Sequence, residues 1–344
     1  MKTVFSPHHA GHGDHAELVA GAILPAYERP ERAGMIRARV EEVGLGAILP
    51  PEEHGLETAR KIHADDYLDF LQTAHDRWLA RGNSGVALPF VWPRPGLRAD
   101  TPPEDIEGLL GHYSFDGGAP FVAGTWAAVK AAHDVALTAA GLVAGGERAA
   151  FALGRPPGHH AGRGFAGGYC YINNAAVAAQ ALRDHGVRRV AILDIDYHHG
   201  NGTQEIFYGR GDVFVASIHA DPRMEFPYFL GHADERGEAD GAETTLNVPL
   251  PHETDWSAWS SGLEEACRAV AAFAPDSLVV SLGTDTYRGD PLGRFRLETT
   301  DFPRIGARLA RMGLATLFVM EGGYAVEEIG VNAVGVLTGF EQPR

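Results

Sequence analysis

The sequence predicts an α/β fold in which one parallel β-sheet is covered by helices on both faces. Three observations predict it. Short apolar runs alternate with helical patterns along the 344 residues. The runs are too uniformly apolar to present one face to water, as in parallel strands buried on both sides. Four of them run directly into polar, glycine-containing segments, and the carboxyl ends of parallel strands share the edge of the sheet at which open α/β folds bind ligands.

The predicted strands cover residues 3–5, 149–153, 190–193, 213–218, 277–282 and 316–320. Helical patterns fall at 31–43, 67–80, 122–142, 174–185, 257–273 and 303–312. The segment 82–124 departs from this alternation: Pro89, Pro93, Pro95, Pro102, Pro103 and Pro120 interrupt it, and apolar positions recur without a period. A loop of that length is a functional or interaction element more often than a filler. Strands on both sides of it are needed to complete the sheet, so a single domain over residues 1–344 is expected, with 82–124 as an insertion.

Composition narrows the function. The formal net charge of −16 repels nucleic acid and attracts small cations. Two cysteines, Cys170 and Cys267, make no disulfide framework. Residues 1–9 lack the apolar core of a secretory signal. The most apolar stretch, 122–144, is broken by Lys130, His133 and Asp134, so no membrane association is expected. The expectation is a cytoplasmic protein.

Function concentrates at the strand ends. The strand at 149–153 leads into Arg155-Pro156-Pro157-Gly158-His159-His160-Ala161, and 190–193 into Asp194-Ile195-Asp196-Tyr197-His198-His199-Gly200-Asn201-Gly202. The run 277–282 leads into Gly283-Thr284-Asp285, and 316–320 into Glu321-Gly322-Gly323-Tyr324. In extended chain Asp194, Asp196 and His198 share a side. Asp196 and His198 can then grip one divalent ion, with Asp285 as a third ligand. Two carboxylates and an imidazole leave coordination positions open, as in catalytic sites, and suit Zn(II), Fe(II) or Co(II) alike. The adjacent imidazoles His159 and His160 can exchange protons with a water and a leaving amine. The Tyr324 phenol can donate to a developing oxyanion. A phosphate loop is not matched, and Cys170 reads as a buried thiol rather than a nucleophile.

These motifs, with Gly167-Gly168-Tyr169-Cys170-Tyr171-Ile172-Asn173-Asn174, together resemble the histone deacetylase family. The likeness runs from about residue 6 to the C-terminus. Within the family, Glu31-Arg32-Ala33, Asp105-Ile106-Glu107-Gly108, Gly124-Thr125-Trp126 and Phe226-Pro227-Tyr228-Phe229-Leu230-Gly231 resemble the bacterial acetylpolyamine amidohydrolases. The resemblance implies an arginase–deacetylase fold, with a central mostly parallel sheet of about eight strands, and a zinc-dependent amide hydrolase. It implies that Asp196, His198 and Asp285 hold the metal, that His160 is general base and acid with His159 as its electrostatic partner, and that Tyr324 polarises the scissile carbonyl. Asp194 would orient His159, and Asn201 stands where many deacetylases carry an aspartate partner for the second histidine. Gly168, Tyr169 and Phe226 would wall a narrow tunnel. A potassium ion would be held by Asp194, Ser217 and backbone carbonyls of Asp196, His198 and Ile218. Gly118 falls where some relatives carry a glutamate for the substrate ammonium, so Glu107 or another loop acid has to replace it. The 82–124 insertion is expected to build a homodimer and narrow the tunnel mouth.

Four readings follow. Deacetylation of small cationic acetylated amines, foremost acetylpolyamines, leads; deacetylation of acetyl-lysine in proteins differs from it by tunnel width. An arginase-like reading needs two manganese ions, against the single three-ligand set. A catalytically silent metal-bearing scaffold has no need of His159, His160 and Tyr324.

Overall fold

A computed structural model describes the whole chain except Asp14, Ala20, Ala99, Pro343 and Arg344. Ten strands occur among the described residues: β1 (Lys2–Phe5), β2 (Ala16–Val19), β3 (Ala22–Pro25), β4 (Ile48–Leu49), β5 (Ala149–Leu153), β6 (Val190–Asp194), β7 (Val213–Ala220), β8 (Thr245–Leu250), β9 (Ser277–Leu282) and β10 (Ala315–Met320). Ten α-helices accompany them: α1 (Glu31–Glu42), α2 (Ala59–Ile62), α3 (Asp65–Ala80), α4 (Ile106–His112), α5 (Thr125–Ala144), α6 (Asn174–Asp184), α7 (Asn201–Phe207), α8 (Trp256–Phe273), α9 (Phe302–Ala310) and α10 (Val326–Glu341).

Eight strands form one sheet in the order β4-β1-β5-β10-β9-β6-β7-β8, every described pairing parallel. β2 and β3 make a separate antiparallel hairpin. The sheet takes β1 and β4 from before the 82–124 insertion and the rest from after it. Successive side chains of a strand serve opposite faces. Thus Ala150 and Ala152 of β5 pack in a core with α3, α5 and α6, while Ala149, Phe151 and Leu153 pack in a second core with α1, α8, α9 and α10. A hydrophobic core covers each face, so the inner strands are mostly apolar on both sides, and this is why the sequence reads as nearly unbroken runs. α5, the apolar stretch noted above, averages a mean hydropathy of 1.3 over its best window and lies against β5 and α6.

The differences from the sequence reading have local causes. α10 carries Gly330, Gly335 and Gly339, which weaken a helical signal by about 1 kcal/mol each relative to alanine. Packing requires two of them: a Cβ on Gly339 would stand 2.0 Å from the Pro303 carbonyl oxygen, and one on Gly330 2.7 Å from that of Met35. β8 contains Asn247 and Pro249 and was not predicted; it lies at the sheet edge, where a missing N–H is tolerated. The insertion is not structureless, because α4 lies within it, capped by the Asp105 carboxylate accepting from the Glu107 N–H.

Candidate active site

The four polar segments follow β5, β6, β9 and β10. These are consecutive in the sheet, as β5-β10-β9-β6. Their carboxyl ends therefore open side by side at the centre of one edge, and His159, His160, Asp196, His198, Asp285 and Tyr324 meet there.

Ligand atoms of Asp196, His198 and Asp285 lie within 4.8 Å of one another, all three residues buried. Nδ1 of His198 is 3.0 Å from Oδ2 of Asp285 and 3.4 Å from Oδ1 of Asp196. Backbone amides brace the carboxylates: Tyr197 N–H donates to Asp285 Oδ1 at 2.8 Å, Gly322 N–H to Asp196 Oδ2 at 2.8 Å and His198 N–H to Asp196 Oδ1 at 2.9 Å. A Cβ on Gly283 would reach within 2.1 Å of Asp196 Oδ2, and one on Gly322 within 2.6 Å of both carboxylates, so glycine is required at each. Burial opposes charge on His198, yet bonding to Asp196 and Asp285 raises its pKa to about 10. The cage therefore demands positive charge. Its donor set and electrostatics fit a divalent cation.

The two adjacent imidazoles have opposite settings. His159 Nδ1 meets the Asp194 carboxylate at 2.9 Å. Burial alone would lower its pKa, but Asp196 and Asp194 carry it to about 10. His160 Nδ1 meets the neutral amide oxygen of Asn201 at 2.7 Å. Burial and the nearby His159 and His198 hold His160 well below the ordinary imidazole range. With Nδ1–H donated to Asn201, Nε2 of a neutral His160 carries the lone pair.

The mouth is a cavity of about 220 Å³ lined by His160, His198, Gly168, Tyr169, Phe226, Leu292 and Tyr324. The rings of Tyr169 and Tyr324 lie 5.6 Å apart, and Phe226 stacks on Phe115 at 5.7 Å. A Cβ on Gly168, whose φ is +51°, would strike the His160 ring at 2.4 Å. Gly118 also lines the cavity, as do three acids that sequence reasoning did not single out: Glu17, Asp116 and Glu225. Glu17 accepts from the Tyr169 hydroxyl at 2.5 Å, Asp116 from the Gly118 and Gly168 N–H groups at 2.9 and 3.1 Å, and Glu225 from the Tyr197 hydroxyl at 2.8 Å. Burial raises Asp116 to about 6.

Glu107 corrects one expectation. It does not line the cavity; it sits on α4, 3.6 Å from the Arg81 guanidinium, which already pairs with Asp105 at 2.7 Å. A helix cap and an arginine outside the mouth hold it away. Glu321, quoted in a motif but given no role, accepts from Gly158 and His159 N–H at 2.7 and 3.1 Å and so ties the histidine loop to β10. Arg32, wedged against the buried Glu28 at 2.7 Å, donates to the carbonyls of Gly323 and Glu321, both at 2.6 Å, and lies 4.8 Å from the Tyr324 ring. Pairing of β6 with β7 sets Asp194 opposite Ser217, whose hydroxyl is 2.7 Å from His219 Nδ1. Ile218 follows in the buried core of β7. Cys170 is buried, and burial pushes its thiol up.

A buried Asp-His-Asp cage beside two differently poised histidines and a phenol, at the mouth of a parallel sheet, defines a class of metal-assisted hydrolases. Residues 26–339 match the histone deacetylase domain, and the chain belongs to the histone deacetylase family. Over 99% of both chains it is 53% identical to acetylpolyamine amidohydrolase 2 of Pseudomonas aeruginosa. It is 47% identical to the acetylpolyamine amidohydrolase of Mycoplana ramosa, over 98% of this chain and 99% of that one. The crystal structure of acetylpolyamine aminohydrolase from Burkholderia pseudomallei superposes with a TM-score of 0.94 at 38% identity, covering 99% of this chain and 98% of the other. The architecture is the arginase–deacetylase fold.

Proposed function

We propose that this protein is a zinc-dependent amidohydrolase that removes acetyl groups from acetylated polyamines. One observation carries the reading: His198 of the cage, neutral-poised His160 and the Tyr324 phenol share a single narrow, aromatic-walled cavity that also contains carboxylates. The full-length similarity to enzymes named for this reaction supports it.

Asp196, His198 and Asp285 would hold the divalent ion, which when bound supplies Lewis acidity that polarises the amide carbonyl and makes a water nucleophilic near neutral pH. Nε2 of His160 takes the proton of the attacking water and returns it to the amine nitrogen as the C–N bond breaks, giving acetate and a free amine. His159, its imidazolium favoured by Asp196 and Asp194, disfavours charge on the neighbouring His160 and leaves it ready as a base. The Tyr324 hydroxyl donates to the oxyanion that develops on the carbonyl. Tyr169 and Phe226, with Gly168 beside them, pass an aliphatic chain. Glu17 and Asp116 take the role expected of Glu107, facing the distal ammonium. A Cβ at Gly118 would come within 3.1 Å of the Asp116 carboxylate, so the small residue makes room for the acid.

Finer expectations belong to the same reading. Asp194 and Ser217, with carbonyls of Asp196, His198 and Ile218, form a potassium site. The insertion builds a homodimer: Phe90 and Phe229 are 74% and 84% exposed, and Trp92 of the insertion shares a groove with Phe229. The enzyme works in the cytoplasm, away from nucleic acid and membranes.

Acetate release tests the substrate. N-acetylputrescine and N-acetylcadaverine are expected to have a higher kcat/KM than an acetyl-lysine peptide, and size-exclusion chromatography with light scattering to give a dimer. A monomer that prefers the peptide overturns the proposal.

A further inference from the structure

Tyr324 follows two glycines, and the second has φ +122°. No side chain in that turn can fix the direction in which the chain leaves it, so the restraint on the phenol comes from outside the turn. Arg32 supplies one half by taking the carbonyls of Glu321 and Gly323. The amides on the far side go elsewhere. Asp290, 6% exposed in the loop after β9, accepts from the Tyr324 N–H at 2.6 Å and the Ala325 N–H at 3.0 Å through Oδ2. Its Oδ1 accepts from the Leu292 N–H at 2.9 Å. Pro291 has no N–H, which makes Leu292 the first available donor beyond Asp290.

One carboxylate thus joins the phenol-bearing turn to the cavity wall at Leu292, and it does not itself line the cavity. Ionised acceptors bond to backbone N–H groups about twice as strongly as neutral ones. We propose that Asp290 is a positioning residue, which sets Tyr324 in register with the cavity wall so that its hydroxyl meets the developing oxyanion. The proposal rests on the role assigned to Tyr324.

A carboxylate that only capped α10 would act on stability and not through the phenol. The two roles separate in a double-mutant cycle of Asp290→Asn and Tyr324→Phe, reading kcat, KM, melting temperature and divalent metal content of the full chain. Asparagine keeps the size and one acceptor but loses the second acceptor and the charge. A displacement of the order of 1 Å costs up to about 100-fold in rate. Asp290→Asn is therefore expected to lower kcat by about 10- to 100-fold, with KM within about threefold and metal content unchanged. In the Tyr324→Phe background the same substitution is expected to cost less than about threefold. Asp290→Glu, which keeps charge and acceptors on a longer arm, is expected to remain folded and slow, and it carries the test if the asparagine variant does not fold. Equal losses in both backgrounds, or wild-type kcat in Asp290→Asn, overturn the proposal while leaving Tyr324 in its role. Wild-type kcat in Tyr324→Phe alone removes the role of Tyr324 and this inference with it.

Discussion

Nδ1 of His160 lies 2.7 Å from the amide oxygen of Asn201, while Nδ1 of its neighbour His159 lies 2.9 Å from a carboxylate of Asp194. The two rings are 4.1 Å apart at their centroids, too close for both to be cationic at low cost. Burial and the neighbouring His159 and His198 keep His160 neutral against the small pull of the Asn201 amide, while Asp196 and Asp194 keep the proton on His159.

Asn201→Asp works against that choice. An added carboxylate favours the imidazolium and raises the pKa of His160 by about one unit or more. The base must be neutral to act, so the acid limb of the kcat/KM profile is expected to move to higher pH. In the wild type, where the His160 pKa is depressed, that limb lies below the ordinary imidazole value. A pH–rate profile from 5 to 9 checks it, and an unmoved acid limb contradicts the assignment of His160 as base.

Metal content is the second prediction. Purified protein is expected to hold about one divalent ion per chain. Asp285→Ala removes one of three ligands and one of the two charges that draw the cation, so elemental analysis should find most of the metal gone, with the far-ultraviolet circular dichroism unchanged. Full activity in protein verified to be metal-free would sink the assignment of the cage.

How much of this was legible in sequence depended on what each residue packs against. β9 and β10 are buried on both faces and could be read directly from the apolar runs 277–282 and 316–320, the second one residue short of the observed strand. The cage was legible because Asp196 and His198 lie two apart just after one apolar run and Asp285 just after another, although the structure places Asp196–His198 in a bend after β6 rather than in extended chain. α10 was hidden, since glycines chosen for contact with Pro303 and Met35 look like breaks when the partner is unseen. The acids of the cavity were hidden for a related reason. Glu17 comes from the β2–β3 hairpin, Asp116 from the insertion and Glu225 from the loop after β7, with no spacing to link them. Glu107 looked the better acid because its segment matched a family pattern, and only the fold could place it against Arg81. Asp290 carries no signal at all until its three N–H partners are seen.

Asp116 supplies the last prediction. Its Oδ1 is within reach of both the Gly118 and Gly168 N–H groups, at 2.9 and 3.2 Å. Asp116→Asn can therefore keep these bonds with its amide oxygen and lose only the charge. Burial raises the carboxyl to about 6, while its two N–H donors oppose the rise. A raised pKa means that the group is ionised above pH 6 and protonated below it, whereas the substrate amine remains cationic throughout. KM for N-acetylputrescine is thus expected to rise as pH falls through 6, and KM for neutral N-butylacetamide to stay level. The ratio of the two cancels any titration of the catalytic groups, which both substrates share. In Asp116→Asn the ratio should lose its pH dependence and settle about tenfold higher at pH 7.5, equivalent to ~1.4 kcal/mol of lost ion pairing. A ratio that keeps its wild-type pH dependence in the variant would take the ammonium away from Asp116 and leave that residue as a brace for the Gly168 wall.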